Sequence, residues 1–519
     1  MATLLSSLSE SLLRSGLLLG GLLVVAAIAV AALVAGRLAV HVLRFVLQRR
    51  HTRTVSLPRL TGYALERAVR QGEPLRLCLH SESAVKVECL RLDDDTLAGA
   101  PPALTLTAPA GRQSAKYHAW QGLNWTVTLE VPTETLSPGL YVVRLSSDEP
   151  AAGAADASHS PPLEYFLGAI VQPTSVPSLA VIASTNTWDA YNDFAGVSNY
   201  VDRGLPLTLR WLWRAMRYLN QRVHIGERHV LPTVPLPSAR PNDAIDRDLR
   251  SLFRAETRGP AAATDAFSHL LVAECALTRF LDREHTPCGV YTDRDFATDD
   301  RLEAADCFVF NTHSEYWSAE MIGRLQRLKA AGKKIVMLSG NTMYRRVEQL
   351  ATGLHVVDQK VDRDEIAARI GLGYDARGYQ TFAPYRLVAE DHWVFRNAPR
   401  GETFCDPSEP PADGSDLPTP HRLAGRPTRG GSGWETDKTC STSGETIVLA
   451  RGTNPEGAAE MVLLPLPRGG WLFNAGSVAA SAWLGHDLVL DHIVRNLLSD
   501  AVVSASPPHP ASARSLSAA

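Results

Sequence analysis

The sequence predicts an α/β protein: a doubly wound, mostly parallel sheet, preceded by a β-sandwich and an N-terminal transmembrane helix. Three observations lead there. Residues 15–36, SGLLLGGLLVVAAIAVAALVAG, carry no charge and lie between Arg14 and Arg37, a length that can span a bilayer. Short β-rich runs separated by Pro, Gly, Asp and Ser clusters fill residues 70–168, which is the pattern of a sandwich. From 175 to 500, apolar strand-like runs alternate with segments of helical period, the rhythm of a parallel sheet.

The chain has 519 residues, 45% of them hydrophobic, too many for one ordinary core. Residues 1–50 read as a membrane anchor with its span at 15–36. A secretory signal has a shorter apolar stretch after a basic start, and Glu10 dilutes the basic character here. Arg37, Arg44, Arg49, Arg50, Arg53 and Arg59 follow the span against Arg14 before it. By the positive-inside rule the soluble bulk then lies on the cytoplasmic side.

In residues 70–168 the runs LRLCLH, VKVECLRL, NWTVTLEV and GLYVVRL predict an immunoglobulin-like sandwich. It holds no cluster of catalytic residue types, so it reads as a domain that packs on or orients its neighbour. An Ala, Ser, Asp and Pro-rich linker ends near Pro162.

In residues 175–500, SLAVIA, CGVYT, CFVFN and KKIVML are predicted strands, and 206–221 and 265–285 are predicted helices. SAEMIGRLQRLKAAG is a helix capped by Ser318 and ended at Gly332. GETIVLARG, EMVLLPLP and GGWLFNAG read as antiparallel additions, and DLVLDHIVRNLLSD as a closing helix. Residues 501–519 read as a disordered tail.

A formal net charge of -3 gives no basic field for nucleic acid. The seven cysteines include no CxxC pair, which suits scattered thiols better than a disulfide framework or a zinc site.

In an open sheet, ligands bind beyond the C-terminal strand ends. STNTWDAYNDF, DRDF, THSEYWS and SGNTMYRR all follow predicted strands, so hydroxyls, amides, carboxylates, a histidine and aromatics converge over one crevice. Trp188, Trp317, Phe194 and Tyr316 are expected to line it, fitting a small, partly apolar ligand.

The turn after KKIVML is the place where class I glutamine amidotransferase-like folds carry a nucleophilic cysteine, and Gly340 and Asn341 stand there instead. Cys307 opens a strand and is expected to be buried. GxSxG, P-loop and GxGxxG motifs are absent. A metal-activated water is then the more natural attacker, and carboxylate with phenolate suits ferric iron.

The strings TNTWDAYNDFAG, TDRDF, HSEYWSAEM, LSGNTMYRRVE, HWVFR, GWETD and NAGSVAASAW, in that order, resemble the large (beta) subunit of N,N-dimethylformamidase and its relatives. The resemblance implies an amidotransferase-like sheet without its cysteine. It also implies a mononuclear iron held by two tyrosines and a glutamate, and hydrolysis of a formamide C–N bond. Tyr191 and Glu315 match metal ligands. His313 matches a histidine near the reacting water, Asn341 an amide facing the substrate carbonyl, and Glu435 a further active-site acid. A second tyrosine is expected near PLPSARPND, where Asn242 stands. Asp243 or Tyr200 is left to supply an oxygen.

The sequence thus reads as a membrane-tethered, metal-dependent amidohydrolase acting on a small amide. The alternative is a metal-free relative serving as a small-ligand binding or interaction module. Expected partners are the amide, the membrane, and a small companion subunit or a second copy.

Overall fold

The computed structural model describes residues 52–92, 97–118, 121–150, 162–204, 235–258, 268–407 and 430–503, with Ala26, Arg210, Trp211 and Arg214. The predicted span and tail lie outside these residues, apart from Ala26 and the first three tail positions, and so does most of the predicted 206–221 helix.

Strands β1 (Leu60–Ala64), β2 (Ala68–Arg70), β3 (Leu75–Ser81), β4 (Val85–Arg91), β5 (Leu104–Ala108), β6 (Leu129–Val131), β7 (Gly139–Pro150) and β8 (Pro162–Gln172) come first. They form a five-stranded sheet, β2-β8-β7-β4-β5, and a three-stranded sheet, β1-β3-β6. Alternate residues turn inward, as the two-residue period of a strand requires. Leu75, Leu77 and Leu79 of β3 meet Val85, Val87 and Cys89 of β4 and Tyr141, Val143 and Leu145 of β7 in one core.

The next elements are β9 (Leu179–Ala183), α1 (Thr185–Tyr191), β10 (Pro235–Pro237), α2 (Asp243–Arg258), α3 (Cys275–Arg283), β11 (Gly289–Thr292), α4 (Asp293–Thr298), β12 (Cys307–Thr312), β13 (Tyr316–Ser318), α5 (Ala319–Ala331) and β14 (Lys334–Ser339). They are followed by β15 (Arg345–Leu350), β16 (Gly353–Asp358), α6 (Arg363–Ile370), β17 (Tyr385–Leu387), β18 (Thr403–Phe404), β19 (Ile447–Gly452), β20 (Glu460–Pro465), β21 (Trp471–Asn474) and α7 (Leu488–Val503). A nine-stranded sheet runs β11-β9-β12-β14-β21-β20-β19-β17-β18, and beside it stands a four-stranded sheet, β10-β16-β15-β13.

Strands β12 and β14 are buried along their whole length, which their unbroken apolar runs demand. Their alternate side chains serve two cores. Val309 and Val336 face the core shared with α2, α3 and α7, whereas Phe308, Phe310, Ile335 and Met337 face the one shared with α4, α5 and α6. Helix α5 begins where the Ser318 hydroxyl accepts the Met321 N–H, and stops at Gly332 with φ 79°.

The predicted doubly wound, amidotransferase-like sheet is corrected here. Among the described residues strand outweighs helix, 34% against 27%, and the large sheet is mixed. β11, β9, β12, β14 and β21 run parallel, but β20, β19, β17 and β18 continue the sheet antiparallel. The cause is connection length: β20 reaches β21 through the turn at Pro467–Gly469, and so short a link joins only antiparallel neighbours. Among the described residues no helix is long and apolar enough to cross a membrane.

The predicted 265–285 helix is also shorter than its apolar stripe. α3 starts only at Cys275, because the Asp248 carboxylate takes the Ser268 hydroxyl at 3.0 Å and the Val272 N–H at 2.9 Å and holds that stretch as turns.

Candidate active site

Three strand ends and one returning segment build the site. β9 passes straight into α1, which is stitched to the chain leaving β12. The Ser184 hydroxyl donates to Asn311 O at 2.9 Å, the Thr187 hydroxyl to His313 O at 2.7 Å, and the Asn186 amide to Tyr316 O at 3.0 Å. β12 ends in a left-handed residue, Thr312 at φ 56°, and β14 is followed two residues on by another, Asn341 at φ 51°, a conformation non-glycine residues hold only when their surroundings enforce it. For Asn341 the enforcement is visible. Asp437 accepts its N–H at 3.0 Å and that of Thr342 at 3.4 Å.

Gly340, just before, lets the returning segment come close. A Cβ there would lie 2.5 Å from Val478 N and 2.6 Å from Glu435 O.

Glu315, His313, Glu435 and Asn341 meet at the centre. His313 Nε2 is 3.3 Å from Glu315 Oε2 and 3.3 Å from Glu435 Oε2. The Asn341 amide donates to Glu435 Oε2 at 3.0 Å. His313 Nδ1 lies 3.2 Å from Gly340 O, which leaves Nε2 facing the carboxylates. His313 Nε2 and Asn341 Oδ1 are both buried and make no aligned hydrogen bond.

Glu315 also accepts from Arg345 Nε at 2.6 Å through Oε1 and from the Tyr200 hydroxyl at 3.0 Å through Oε2. The Tyr191 ring lies 4.4 Å from that of Tyr200, 4.5 Å from His269 and 6.2 Å from His313, centroid to centroid. Trp434 stacks over His269 at 6.3 Å.

Burial opposes charge on His313, but the Glu435 and Glu315 carboxylates outweigh it and lift the imidazole above its usual range. Burial would likewise raise Glu315, yet the Arg345 guanidinium and His313 hold it well below the usual carboxylate range. Glu435 is pushed up, by burial and by the Glu315 charge. The Tyr191 phenol is raised, first by burial and further by the neighbouring Tyr200 and the Glu315 carboxylate. Two carboxyls of opposite tendency on one imidazole form an acid and base pair of the sort proton transfer needs.

The structure therefore gathers all five predicted residues, Tyr191, His313, Glu315, Asn341 and Glu435. Asn242 lies elsewhere. It starts α2, accepting the Ile245 N–H at 3.1 Å and donating to Trp188 O at 3.2 Å. Asp243 faces the sandwich through Tyr165, at 3.3 Å. The expected pocket lining is corrected too, since Trp317 packs within the core against Phe310 and Phe296, and Trp188 and Phe194 are buried. Cys307 is buried, its thiol pushed up to about 12, and is no nucleophile.

Arg345, His269 and Asp437 were not anticipated. Asp437, two residues after Glu435, had a strand-like spacing as its signal; a lone histidine in an apolar run had none. Among the described residues no group of three or more His, Cys, Asp and Glu side chains could hold a metal.

Fold and site together define a two-part protein, a β-sandwich followed by a mixed sheet that holds a buried centre of oxygen donors beside a histidine and two carboxylates. The family described as N,N-dimethylformamidase beta subunit-like, C-terminal, has a model that matches residues 99–488, and the chain belongs to that family.

A search of curated proteins finds no match. Solved structures that match include a β-galactosidase from Bacillus circulans sp. alkalophilus, 10% identical with a TM-score of 0.29, over 47% of this chain and 30% of that one. Another is a ThuA-like protein from Bacteroides uniformis, 11% identical with a TM-score of 0.28, over 45% of this chain and 88% of that one.

Proposed function

We propose that this dimethylformamidase-like chain is a metal-dependent amidohydrolase that cleaves the C–N bond of a small formamide. The observation that carries the reading is the meeting of Glu315, Tyr200 and Tyr191 with His313, Asn341 and Glu435 in one buried centre. The donors fit a mononuclear ferric ion: two phenols and a carboxylate are hard oxygen ligands. The buried Oδ1 of Asn341, without a hydrogen bond, and the buried Nε2 of His313, held between two carboxylates without an aligned hydrogen bond, mark a polar centre that further atoms would complete. Tyr191, Tyr200 and Glu315 would hold the ion, which when bound supplies Lewis acidity toward the amide carbonyl and acidifies water.

The remaining work falls to side chains. Glu435, raised by burial, takes a proton from the attacking water, and His313 or Glu435 delivers one to the departing amine nitrogen. Asn341 keeps a second amide N–H free for the carbonyl oxygen as it gains charge. The rival reading, a metal-free binding module, draws on Asn242; the hydrogen bond from Tyr200 to Glu315 favours the metal-dependent reading over it.

We further infer that residues 15–36 anchor the protein in a membrane, with the bulk on the cytoplasmic side. Fractionation of cells tests this, and recovery in the soluble fraction overturns it.

The reading itself is tested by purifying the full chain without added metal and measuring iron and visible absorption. It expects near-stoichiometric iron with a tyrosinate-to-iron band that weakens in Tyr191→Phe and in Tyr200→Phe. Protein that neither carries nor takes up iron contradicts it.

A further inference from the structure

Glu315 closes a ring of side chains that begins at Arg345. The guanidinium donates through Nε to Glu315 Oε1 at 2.6 Å, and through Nη1 to both the main-chain and the side-chain oxygen of Gln359, each at 2.6 Å. Gln359 Nε2 donates to Asn199 Oδ1 at 2.9 Å, and Asn199 Nδ2 donates to the Tyr316 hydroxyl at 2.9 Å. The Tyr316 and Tyr200 hydroxyls are 2.6 Å apart, and Tyr200 donates to Glu315 Oε2 at 3.0 Å.

The direction of every bond follows from chemistry. A guanidinium only donates and a carboxylate only accepts, so both arms start at Arg345 and end at Glu315. Tyr200 commits its proton to Glu315, so between the two phenols Tyr316 must be the donor.

The guanidinium is packed as well as bonded. It lies 5.4 Å from the ring centroid of Tyr200, 5.9 Å from that of Tyr316 and 5.3 Å from that of Tyr344, within cation–π range. Its side chain is 11% exposed and that of Glu315 2%. Tyr200, by contrast, is 38% exposed, so its hydroxyl is kept inward by Glu315 and Tyr316 rather than by enclosure.

We propose that Arg345 is a positioning residue of the centre. It ties down the outer oxygen of Glu315 so that Oε2 alone faces His313. Through Gln359, Asn199 and Tyr316 it also aims the Tyr200 hydroxyl at that same oxygen. The inference rests on the reading that Glu315 and Tyr200 are metal donors, and supplies the outer hydrogen bonds such donors need.

Ferric iron is titrated into the metal-free full-length protein and into Arg345→Lys and Gln359→Met, with uptake and the visible band as readouts and thermal unfolding as the control. Lys keeps the charge but loses the two-armed fork. Gln359→Met cuts the second arm while leaving Arg345, Glu315 and Tyr200 in place. Loss of a partner in an outer hydrogen bond to a metal ligand lowers metal affinity by about 10- to 100-fold, and that is the expected loss in Arg345→Lys. Gln359→Met is expected to lose less, with an altered band at saturating iron and an unchanged unfolding transition.

Equal affinity and an identical band in all three proteins overturn the role of Arg345 while leaving the metal reading intact. A wild type that binds no iron overturns both. An Arg345→Lys protein that is merely unfolded, beside a Gln359→Met protein identical to wild type, also overturns the positioning role.

Discussion

Replacing Glu274 by Gln removes a charge that the fold holds at a cost. Glu274 is 2% exposed, beneath the site. Its carboxylate accepts the Ser184 N–H at 3.2 Å and the Asn311 amide at 2.8 Å. Burial outweighs both bonds and pushes the carboxyl from 4.5 up to about 7. A group that holds its proton more tightly in the folded state stabilises the fold in acid. That advantage is lost as pH rises from the unfolded value of 4.5 through the folded value of about 7. At about 1.4 kcal/mol per unit, the ionised group costs about 3 kcal/mol by pH 8 and about 1 kcal/mol or less near pH 5.

Gln is the neutral isostere, and the local hydrogen bonding can accept it. Asn311 Oδ1 is buried without a partner, so a turned Asn311 amide can take a bond from the new NH2. Urea unfolding of wild type and Glu274→Gln at the two pH values tests this. The variant should gain about 3 kcal/mol over wild type near pH 8 and little near pH 5. A stability difference that does not change between the two pH values would refute the reasoning.

Other expectations concern the centre and the core. Asn341→Ala should slow formamide hydrolysis by about two to three orders of magnitude, chiefly in kcat, as loss of one oxyanion donor does; near-normal turnover in steady-state assays would sink that role. Gly340→Ala places a Cβ against three backbone atoms within 2.8 Å. It should cost about 1–3 kcal/mol of stability and lower turnover by pushing Glu435 from Asn341, and a variant of unchanged Tm and activity would show that the close approach is not needed. Phe308→Ala, at a fully buried position in β12, should cost about 3–5 kcal/mol in denaturant unfolding, and a loss under about 1 kcal/mol would mean that the core collapses around the gap.

Local signals carried far in this sequence and long-range ones did not. CFVFN and KKIVML could be seen as buried strands because both of their faces are apolar, and α5 because Ser318 and Gly332 mark its ends. Residues just past strand ends could be grouped because the sheet geometry brings such ends together. GETIVLARG and EMVLLPLP were legible as antiparallel additions, as β19 and β20 are. The parallel pairing of β21 with β14 and the extension of the sheet by β17 and β18 depend instead on long-range returns that no single strand encodes. The helix expected from 265 failed for a similar reason, since a partner 24 residues away, Asp248, takes the Val272 N–H. The supports of the site were equally hidden. Asn341 is held by a carboxylate 96 residues further on, and Arg345 reads as an ordinary surface charge until Gln359 and Glu315 stand beside it.

The most direct test of the central claim is formate release from small formamides by the full-length protein, before and after treatment with an iron chelator. The account predicts hydrolysis that is lost on chelation and restored by ferric iron but not by zinc. Hydrolysis indifferent to chelation, or none from iron-replete protein across the formamides tried, would contradict it.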